Sequence, residues 1–139
     1  ASDGLSYGIL QLRPSTANQF KSGCTTANID SAWLKNTANI QASVCIASNY
    51  LKSLVGSCGC EVRQLAAGYN GGGADKGACD LSQSCNSCSI CGAERTRRWE
   101  CLWEGPDSEH QTCNAERSGG SFYATRLYVP KVSYCYTRF

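Results

Sequence analysis

The sequence has no long apolar run, little net charge and a single histidine, and each shortage excludes a class of function. A membrane-spanning helix needs about 18 consecutive apolar residues, and no stretch of these 139 residues approaches that length. The net charge is only +2, from 13 basic and 11 acidic side chains, which gives no reason to expect nucleic-acid binding. His110 has no paired ligand or nucleophile motif beside it, so we expect it at the surface rather than in a metal or catalytic site.

Cysteine is the residue that the sequence has in excess. Its 11 cysteines, with no methionine, approach the density of a disulfide-stabilised scaffold, and disulfides persist in oxidising compartments. We therefore predict an exported protein, extracellular or periplasmic, and a chain that starts at Ala1 is compatible with removal of a signal or pro-segment. Because the number is odd, at least one thiol is left free, bound to another molecule or paired with a second copy. Cys58 and Cys60 are too close to pair with each other and should reach different segments.

The spacing of apolar residues predicts a mainly helical protein. Over residues 38–55 they recur at intervals of four and three, which predicts an amphipathic helix whose buried face comprises Ile40, Val44, Ala47, Leu51 and Leu54. A further helix is predicted over residues 61–69, ending at the glycines 71–73. Shorter helices are expected over residues 15–20 and around residues 32–34, the latter capped by Asn28 or Asp30.

Pro130 decides where the last helix is expected to begin. Apolar residues return over 122–136, but a proline inside a helix removes a hydrogen bond and disturbs the preceding turn, so we predict a start just before Pro130. Residues 73–121 are rich in Gly, Ser, Asn and Asp and hold six cysteines, which predicts a loop-dominated insertion held by disulfides. A chain of 139 residues fits one domain, with a helical core over 2–72 and 122–136.

Three segments, in order along the chain, carry a family resemblance. Residues 6–17 read SYGILQLRPSTA, residues 65–72 read LAAGYNGG and residues 128–132 read YVPKV. They resemble the G-L-M-Q-x-x-P-x-T-A, A-Y-N-A-G and N-Y-V-x-K-V elements of lytic transglycosylases in the goose-type lysozyme superfamily. The resemblance implies a lysozyme-like helical domain that acts on peptidoglycan.

The same resemblance implies a mechanism that needs one acid. In that family a glutamate on a helix before the first element serves as acid and then as base, and the 6-hydroxyl of the sugar attacks to leave a 1,6-anhydromuramoyl end. The residues before Ser6 include no such glutamate. We therefore expect a domain whose sequence starts after its catalytic acid, identify no catalytic residue in it, and expect neither a metal nor a cofactor.

Carried over by position, the resemblance assigns four substrate-binding residues: Gln11, Tyr69, Asn70 and Tyr128. Gln11 either binds a sugar acetamido group or only ties its loop to the next helix. Tyr69 lines the groove or fills the core, and Asn70 holds the turn or caps its helix. Tyr128 is either a groove residue or a core aromatic, because the neighbouring Leu127 stands where the family usually has asparagine.

The predicted insertion offers three alternative acids. Glu100, Glu104 and Glu109 lie near Trp99 and Trp103, and a tryptophan wall is a surrounding that raises the pKa of a carboxyl group. A solvated loop carboxylate has the same sequence appearance. We favour the solvated loop for all three.

Two further clusters in the insertion have an alternative explanation each. The first cluster comprises Cys85, Cys88 and Cys91, with Cys101 next. These cysteines have the spacing of metal ligands but no good fourth ligand within reach, so we favour disulfides over a metal or iron-sulfur site.

The second cluster comprises Arg95, Arg97, Arg98, Trp99 and Trp103. It either contacts sugars or an anionic polymer, or its tryptophans are buried against the arginine stems, and we favour the burial.

Two classes of function follow from these observations. The first is an exported lytic transglycosylase-type domain, active only if the glutamate comes from sequence preceding Ala1 or from a separate chain. The second is a catalytically inactive extracellular protein that reuses the fold, either as a structural, filament-forming protein or as a glycan-binding module. Expected partners are peptidoglycan strands and, through the unpaired cysteine, copies of itself or a separate N-terminal chain.

Overall fold

The part of the chain that the structure describes is helical. The computed structural model describes residues 5–71, 77–79, 97–100 and 123–138, and these residues contain isolated bridge residues but no β-strand. Their elements are α1 (Pro14–Phe20), α2 (Ser31–Lys35), a 3-10 turn (Thr37–Asn39), α3 (Ile40–Cys58), α4 (Val62–Gly71) and α5 (Tyr123–Tyr136). The predicted mainly helical fold class is confirmed and is consistent with a lysozyme-like domain. None of the described helices is long and apolar enough to cross a membrane.

Side chains at the helix starts explain where these helices begin. Pro14 is the first residue of α1, where its missing amide hydrogen costs no helical hydrogen bond. The Asp30 carboxylate accepts a hydrogen bond from the amide of Trp33 at 2.7 Å, so Asp30 is the predicted cap that acts on α2. Both carboxylate oxygens of Glu61 accept from amides in the first turn of α4, each at 3.0 Å. The carboxylates of Asp30 and Glu61 thus bind amides that have no hydrogen-bond partner within their helix.

The chain divides into two compact units, residues 1–53 and residues 54–139. In the first unit, the side chain of Asn18 reaches the backbone of Ile29. Its Nδ2 donates to the Ile29 carbonyl at 2.7 Å, and the Ile29 amide donates to its Oδ1 at 3.1 Å. This pair of bonds satisfies the backbone of a buried residue, and the core around it includes Leu12, Ala17, Ile29, Leu34 and Ile46. The prediction of a single domain stays a prediction.

Helix α3 forms where the sequence predicts, but its buried face differs from the predicted one. Ile40, Val44 and Leu51 are 40, 48 and 36 % exposed, so their predicted burial is wrong. The buried residues of the helix are instead Ser43, Ile46, Ala47, Leu54 and Cys58.

The difference between the predicted and the observed buried face is explained by contacts on the side of α3 opposite the predicted face. Cys45 forms a disulfide with Cys24, and the Asn49 side chain donates to the carbonyls of Phe20 and Ser22 at 3.0 and 3.1 Å. A covalent bond and two hydrogen bonds thus hold this side of the helix against residues 20–24. A hydrophobic pattern alone carries no information about such contacts.

The second unit is built around the packing of α4 against α5. Small residues of α4 allow a close approach, and the cluster they form is buried. Its members are Ala66, Ala67, Ala78, Trp99 and Val129, with Tyr128 and Val132 packed against them. The burial of Trp99, which is only 4 % exposed, supplies much of the apolar area of this cluster.

Helix α5 overturns the prediction made from Pro130. The helix begins at Tyr123 and continues to Tyr136 with Pro130 in its interior, so the predicted start just before Pro130 is wrong. A proline costs the helix one backbone hydrogen bond, but here its neighbour Val129 is fully buried. The Thr125 hydroxyl also donates to Asn70 Oδ1 at 2.8 Å. These tertiary contacts hold the first part of α5 in place.

Two short pieces of the predicted insertion, residues 77–79 and 97–100, are described. Their backbones meet where the Trp99 amide donates to the Ala78 carbonyl at 3.1 Å. The Arg97 guanidinium donates to the Ser57 carbonyl at 3.0 Å and also to the Cys79 carbonyl. Both pieces are thereby fixed to the end of α3, and the rest of the predicted insertion over 73–121 lies outside the described residues.

A disulfide passes directly over α4. Cys58 at the end of α3 is bonded to Cys79, which confirms that Cys58 reaches a distant segment, whereas Cys60 carries a free, exposed thiol. A Cβ atom at Gly68 would overlap the Cys58 Sγ atom and lie 3.1 Å from the Cys79 Sγ atom. The crossing therefore requires glycine at this position.

We expect Gly68→Ala to lower the free energy of unfolding by about 1–3 kcal/mol, the usual cost of overpacking. Gly56→Ala is the matched control, because a Cβ there meets open space and alanine is the better helix former by about 1 kcal/mol. Urea unfolding of both variants measures the difference. Equal stability of the two variants would show that the disulfide does not need this glycine.

Candidate functional site

The first motif folds into a tight turn. Tyr7 and Leu12 exchange two backbone hydrogen bonds, of 2.9 and 3.1 Å, across an isolated antiparallel bridge. Gly8 has a φ of 74°, and a Cβ atom there would overlap the carbonyl oxygen of Leu34. Both observations require glycine at this position. The turn therefore presents the residues between Gly8 and Leu12 on a rigid base.

Gln11 holds an unusual backbone conformation in this turn. Its φ is 50°, a region that residues other than glycine seldom occupy. Its Nε2 donates to the Gly8 carbonyl at 2.8 Å, and its side chain is exposed. This bond lies within the turn and does not reach the next helix, so neither alternative that the sequence left open for Gln11 is decided by it. The exposed amide also stays accessible to a ligand.

Tyr69 and Asn70 lie at the end of α4. Asn70 does not cap the helix but lies within it, and its Oδ1 accepts from the buried hydroxyl of Thr125 at 2.8 Å. This bond joins the second motif to α5. Tyr69 is half-buried, which suits both interpretations that the sequence left open.

Tyr128 lies on α5 and packs against the buried cluster of the second unit. Its side chain is half-buried, and burial raises the pKa of its hydroxyl above the ordinary value. The phenol therefore stays neutral at physiological pH, as a hydrogen-bond donor must. Tyr69, Asn70 and Tyr128 all belong to the second unit, whereas Gln11 belongs to the first.

A comparison with protein families decides where this chain belongs. The model of the transglycosylase SLT domain matches residues 1–83, which is more than half of the 139 residues. The chain belongs to the transglycosylase SLT family. No curated protein and no solved structure matches it.

The SLT match confirms the recognised lytic transglycosylase resemblance and gives the chain a lytic transglycosylase-like, peptidoglycan-related function. It includes the first two motifs, with Gln11, Tyr69 and Asn70. It ends before α5, so Tyr128 rests on the third motif alone. The roles of all four residues in binding stay predictions.

The second unit also contains a polar network that the sequence did not predict, and most of its residues lie beyond the SLT match. The Gln64 side chain accepts from the indole Nε1 of Trp99 at 2.8 Å and donates to the Glu100 carboxylate at 3.1 Å. The second Glu100 oxygen accepts from the Arg97 amide at 3.1 Å. Gln64 is more than 30 positions away in sequence from both Trp99 and Glu100, so no local sequence pattern predicts the network.

This network corrects two alternatives from the sequence. Glu100 is not the solvated loop carboxylate that we favoured, because it is half-buried and accepts hydrogen bonds from two donors. Trp99 is not a sugar platform, because it is buried and the Arg63 guanidinium lies 5.7 Å from its ring centre. The favoured burial of Trp99 is confirmed, but the arginine over its ring is Arg63, which lies outside the predicted cluster.

The remaining candidates of the insertion lie outside the described residues. They are Glu104, Glu109, His110, Cys85, Cys88, Cys91, Cys101, Arg95 and Trp103. The predictions made for them from the sequence stay predictions.

The raised pKa of Tyr128 has a measurable consequence for stability. A buried tyrosine keeps its proton at a pH where the unfolded chain has lost it, so its contribution is complete below about pH 10 and is lost as the pH rises further. Burial also raises the pKa of Tyr50, against the opposing charge of Arg13. We expect the free energy of unfolding to fall above about pH 10, and Tyr128→Phe to make that fall smaller.

Urea unfolding on both sides of that pH, with free thiols blocked, measures this change. Leu127→Ala is the control, since Leu127 is an exposed neighbour on α5 that does not titrate. An identical pH dependence for Tyr128→Phe and the unchanged chain would contradict the prediction.

Proposed function

We propose that this chain is the groove-forming part of an exported lytic transglycosylase that cleaves the MurNAc–GlcNAc bond of peptidoglycan. The observation that carries the proposal is the SLT match over residues 1–83, together with the rigid turn that presents Gln11. The disulfides Cys24–Cys45 and Cys58–Cys79 support export, because such bonds persist in oxidising compartments.

In this proposal the four assigned residues bind and orient the glycan. The Gln11 amide bonds a sugar acetamido group while its own turn keeps it in place. Tyr69 and Tyr128 offer neutral hydroxyls and apolar ring faces, a combination suited to sugars. Asn70 acts by position, because its bond to Thr125 fixes the end of α4 beside α5.

Turnover requires a carboxylic acid from outside the three motifs. That acid gives its proton to the glycosidic oxygen, which leaves with the departing sugar. The 6-hydroxyl of the retained muramoyl residue then attacks the anomeric carbon, and its proton returns to the carboxylate. The bond count balances without water, the product carries a 1,6-anhydro ring, and no cofactor or metal takes part.

Incubation of the natural gene product with purified peptidoglycan, followed by mass spectrometry, tests this proposal. We expect 1,6-anhydromuropeptides, and we expect the rate to fall about tenfold or more in Gln11→Gly, since one charge-free hydrogen bond contributes roughly 1 kcal/mol and positioning adds to it. Glycine suits the positive φ of position 11, so this variant removes the amide without straining the turn.

Gln19→Ala is the matched control, because Gln19 is an exposed glutamine on α1. Its rate should equal that of the unchanged protein. Binding to peptidoglycan without any anhydro product would instead support an inactive glycan-binding module.

A second candidate is a catalytically inactive extracellular protein that assembles through disulfides between copies. The observation that favours it is the presence of exposed free thiols at Cys60 and Cys135. An exposed thiol in an oxidising compartment is available to pair with another chain.

This candidate predicts oligomers in native material that reductant dissociates. Non-reducing electrophoresis and intact mass should then show a monomer for the double variant Cys60→Ser and Cys135→Ser. A single monomeric species in unchanged native protein, without reductant, would contradict assembly through these thiols.

A further inference from the structure

The outer face of α5 lines a depression in which Pro130 is the one lining residue that belongs to a motif. Its volume is about 390 Å³, within the range of about 300–1,000 Å³ that small-molecule sites occupy. It is lined by Arg63, Pro130, Ser133, Tyr134 and Thr137. Pro130, Ser133, Tyr134 and Thr137 are spaced three or four residues apart, as on one face of a helix. Tyr128, by contrast, packs against the buried cluster.

The cation at this depression is held in place. The Arg63 guanidinium lies over the ring of the buried Trp99, with 5.7 Å between the guanidinium carbon and the ring centre. Trp99 is itself fixed by its bond to Gln64. Among the residues that the structure describes, none of the lining groups is a carboxylate. The planar guanidinium is therefore positioned to take a carboxylate from a ligand.

The other lining groups suit the body of a sugar. Tyr134 is 60 % exposed, and the Arg138 guanidinium stacks over its ring at 4.8 Å, which stiffens an aromatic surface of the kind that contacts sugar faces. The Ser133 hydroxyl lines the same depression, and the Thr137 hydroxyl donates to the Tyr134 carbonyl at 2.9 Å. That hydroxyl oxygen retains the capacity to accept a hydrogen bond.

The dipole of α5 sets the orientation of the ligand. The last turn of a helix carries partial negative charge and disfavours a nearby anion; Arg138 offsets this charge but is stacked on Tyr134 and does not line the depression, so the carboxylate belongs on the side of the lining cation, Arg63. The neutral ring then lies toward Tyr134 and Thr137, at the end of α5.

We propose that this depression binds a saccharide that bears a carboxylate, with Arg63 on the carboxylate and Tyr134 against the sugar ring. The site goes beyond the proposed function, because it uses neither Gln11 nor Tyr128 and requires no catalytic acid. A stripped glycan strand with free lactyl carboxylates and a uronic-acid polymer both offer this chemistry.

Titration of the full isotopically labelled chain, followed by NMR, tests the site with pairs of sugars that differ by an acid group. The pairs are N-acetylmuramic acid with N-acetylglucosamine, and glucuronate with glucose. We expect the acid of at least one pair to shift the amide signals of Ser133, Tyr134 and Thr137 and to bind about tenfold more tightly than its neutral partner, the effect of a charge-assisted hydrogen bond. Preference for muramic acid alone indicates a glycan-strand ligand, and preference in both pairs indicates acidic saccharides in general.

Arg63→Gln should abolish that preference, whereas Lys131→Gln should retain it, because Lys131 is an exposed cation of α5 that does not line the depression. If Arg63→Gln unfolds the chain, Tyr134→Ala tests the other half of the site: its side chain is exposed, its loss should weaken the binding of acid and neutral sugars alike, and unchanged binding would overturn the proposal. Equal binding of acid and neutral sugars, or equal loss in Lys131→Gln and Arg63→Gln, would overturn the proposal. None of these results depends on turnover, so the proposed function stands or fails separately.

Discussion

The second unit depends on one covalent contact, the disulfide between Cys58 and Cys79 where it crosses α4 at Gly68. This bond fixes residues 77–79 to the end of α3, and the Ala78 carbonyl then receives the Trp99 amide. Trp99 closes the cluster between α4 and α5. A polar, glycine-rich sequence has too little apolar surface to offset the loss of conformational entropy on ordering. The cross-link at residue 79 is therefore needed to place Ala78 where it can bind Trp99.

Two of the residues predicted to bind the glycan, Gln11 and Asn70, also hold the fold together. Gln11 closes its own turn, and Asn70 joins α4 to α5. Groups fixed in this way lose little further entropy when a ligand binds, which favours recognition of a flexible polymer.

The sequence predicted the helices well because their signals are local. The Asp30 cap of α2 and the predicted stop of α4 at the glycines, where Gly71 is the last helical residue, are both signals within one turn of the chain. The errors arose where distant contacts decide. The contacts of Cys45 and Asn49 hold α3 in an orientation that leaves part of its apolar stripe exposed. The packing of Val129 keeps Pro130 inside a helix. Of the candidate site, the motifs located Gln11 and Asn70, but the network around Gln64 joins residues more than 30 positions apart and has no sequence signature.

The exposed stripe of α3 has a consequence for how this protein tolerates change. Ile40, Val44 and Leu51 remain 36–48 % exposed, and Lys52 is the only charged residue of the helix. Polar replacements along this stripe should cost less stability than replacements on the buried face, where the small hydroxyl side chain of Ser43 leaves no room for a larger one. Among homologous sequences, substitutions should therefore be more frequent at the exposed apolar positions of α3 than at Ser43, which is the opposite of what the hydrophobic pattern on a helical wheel predicts.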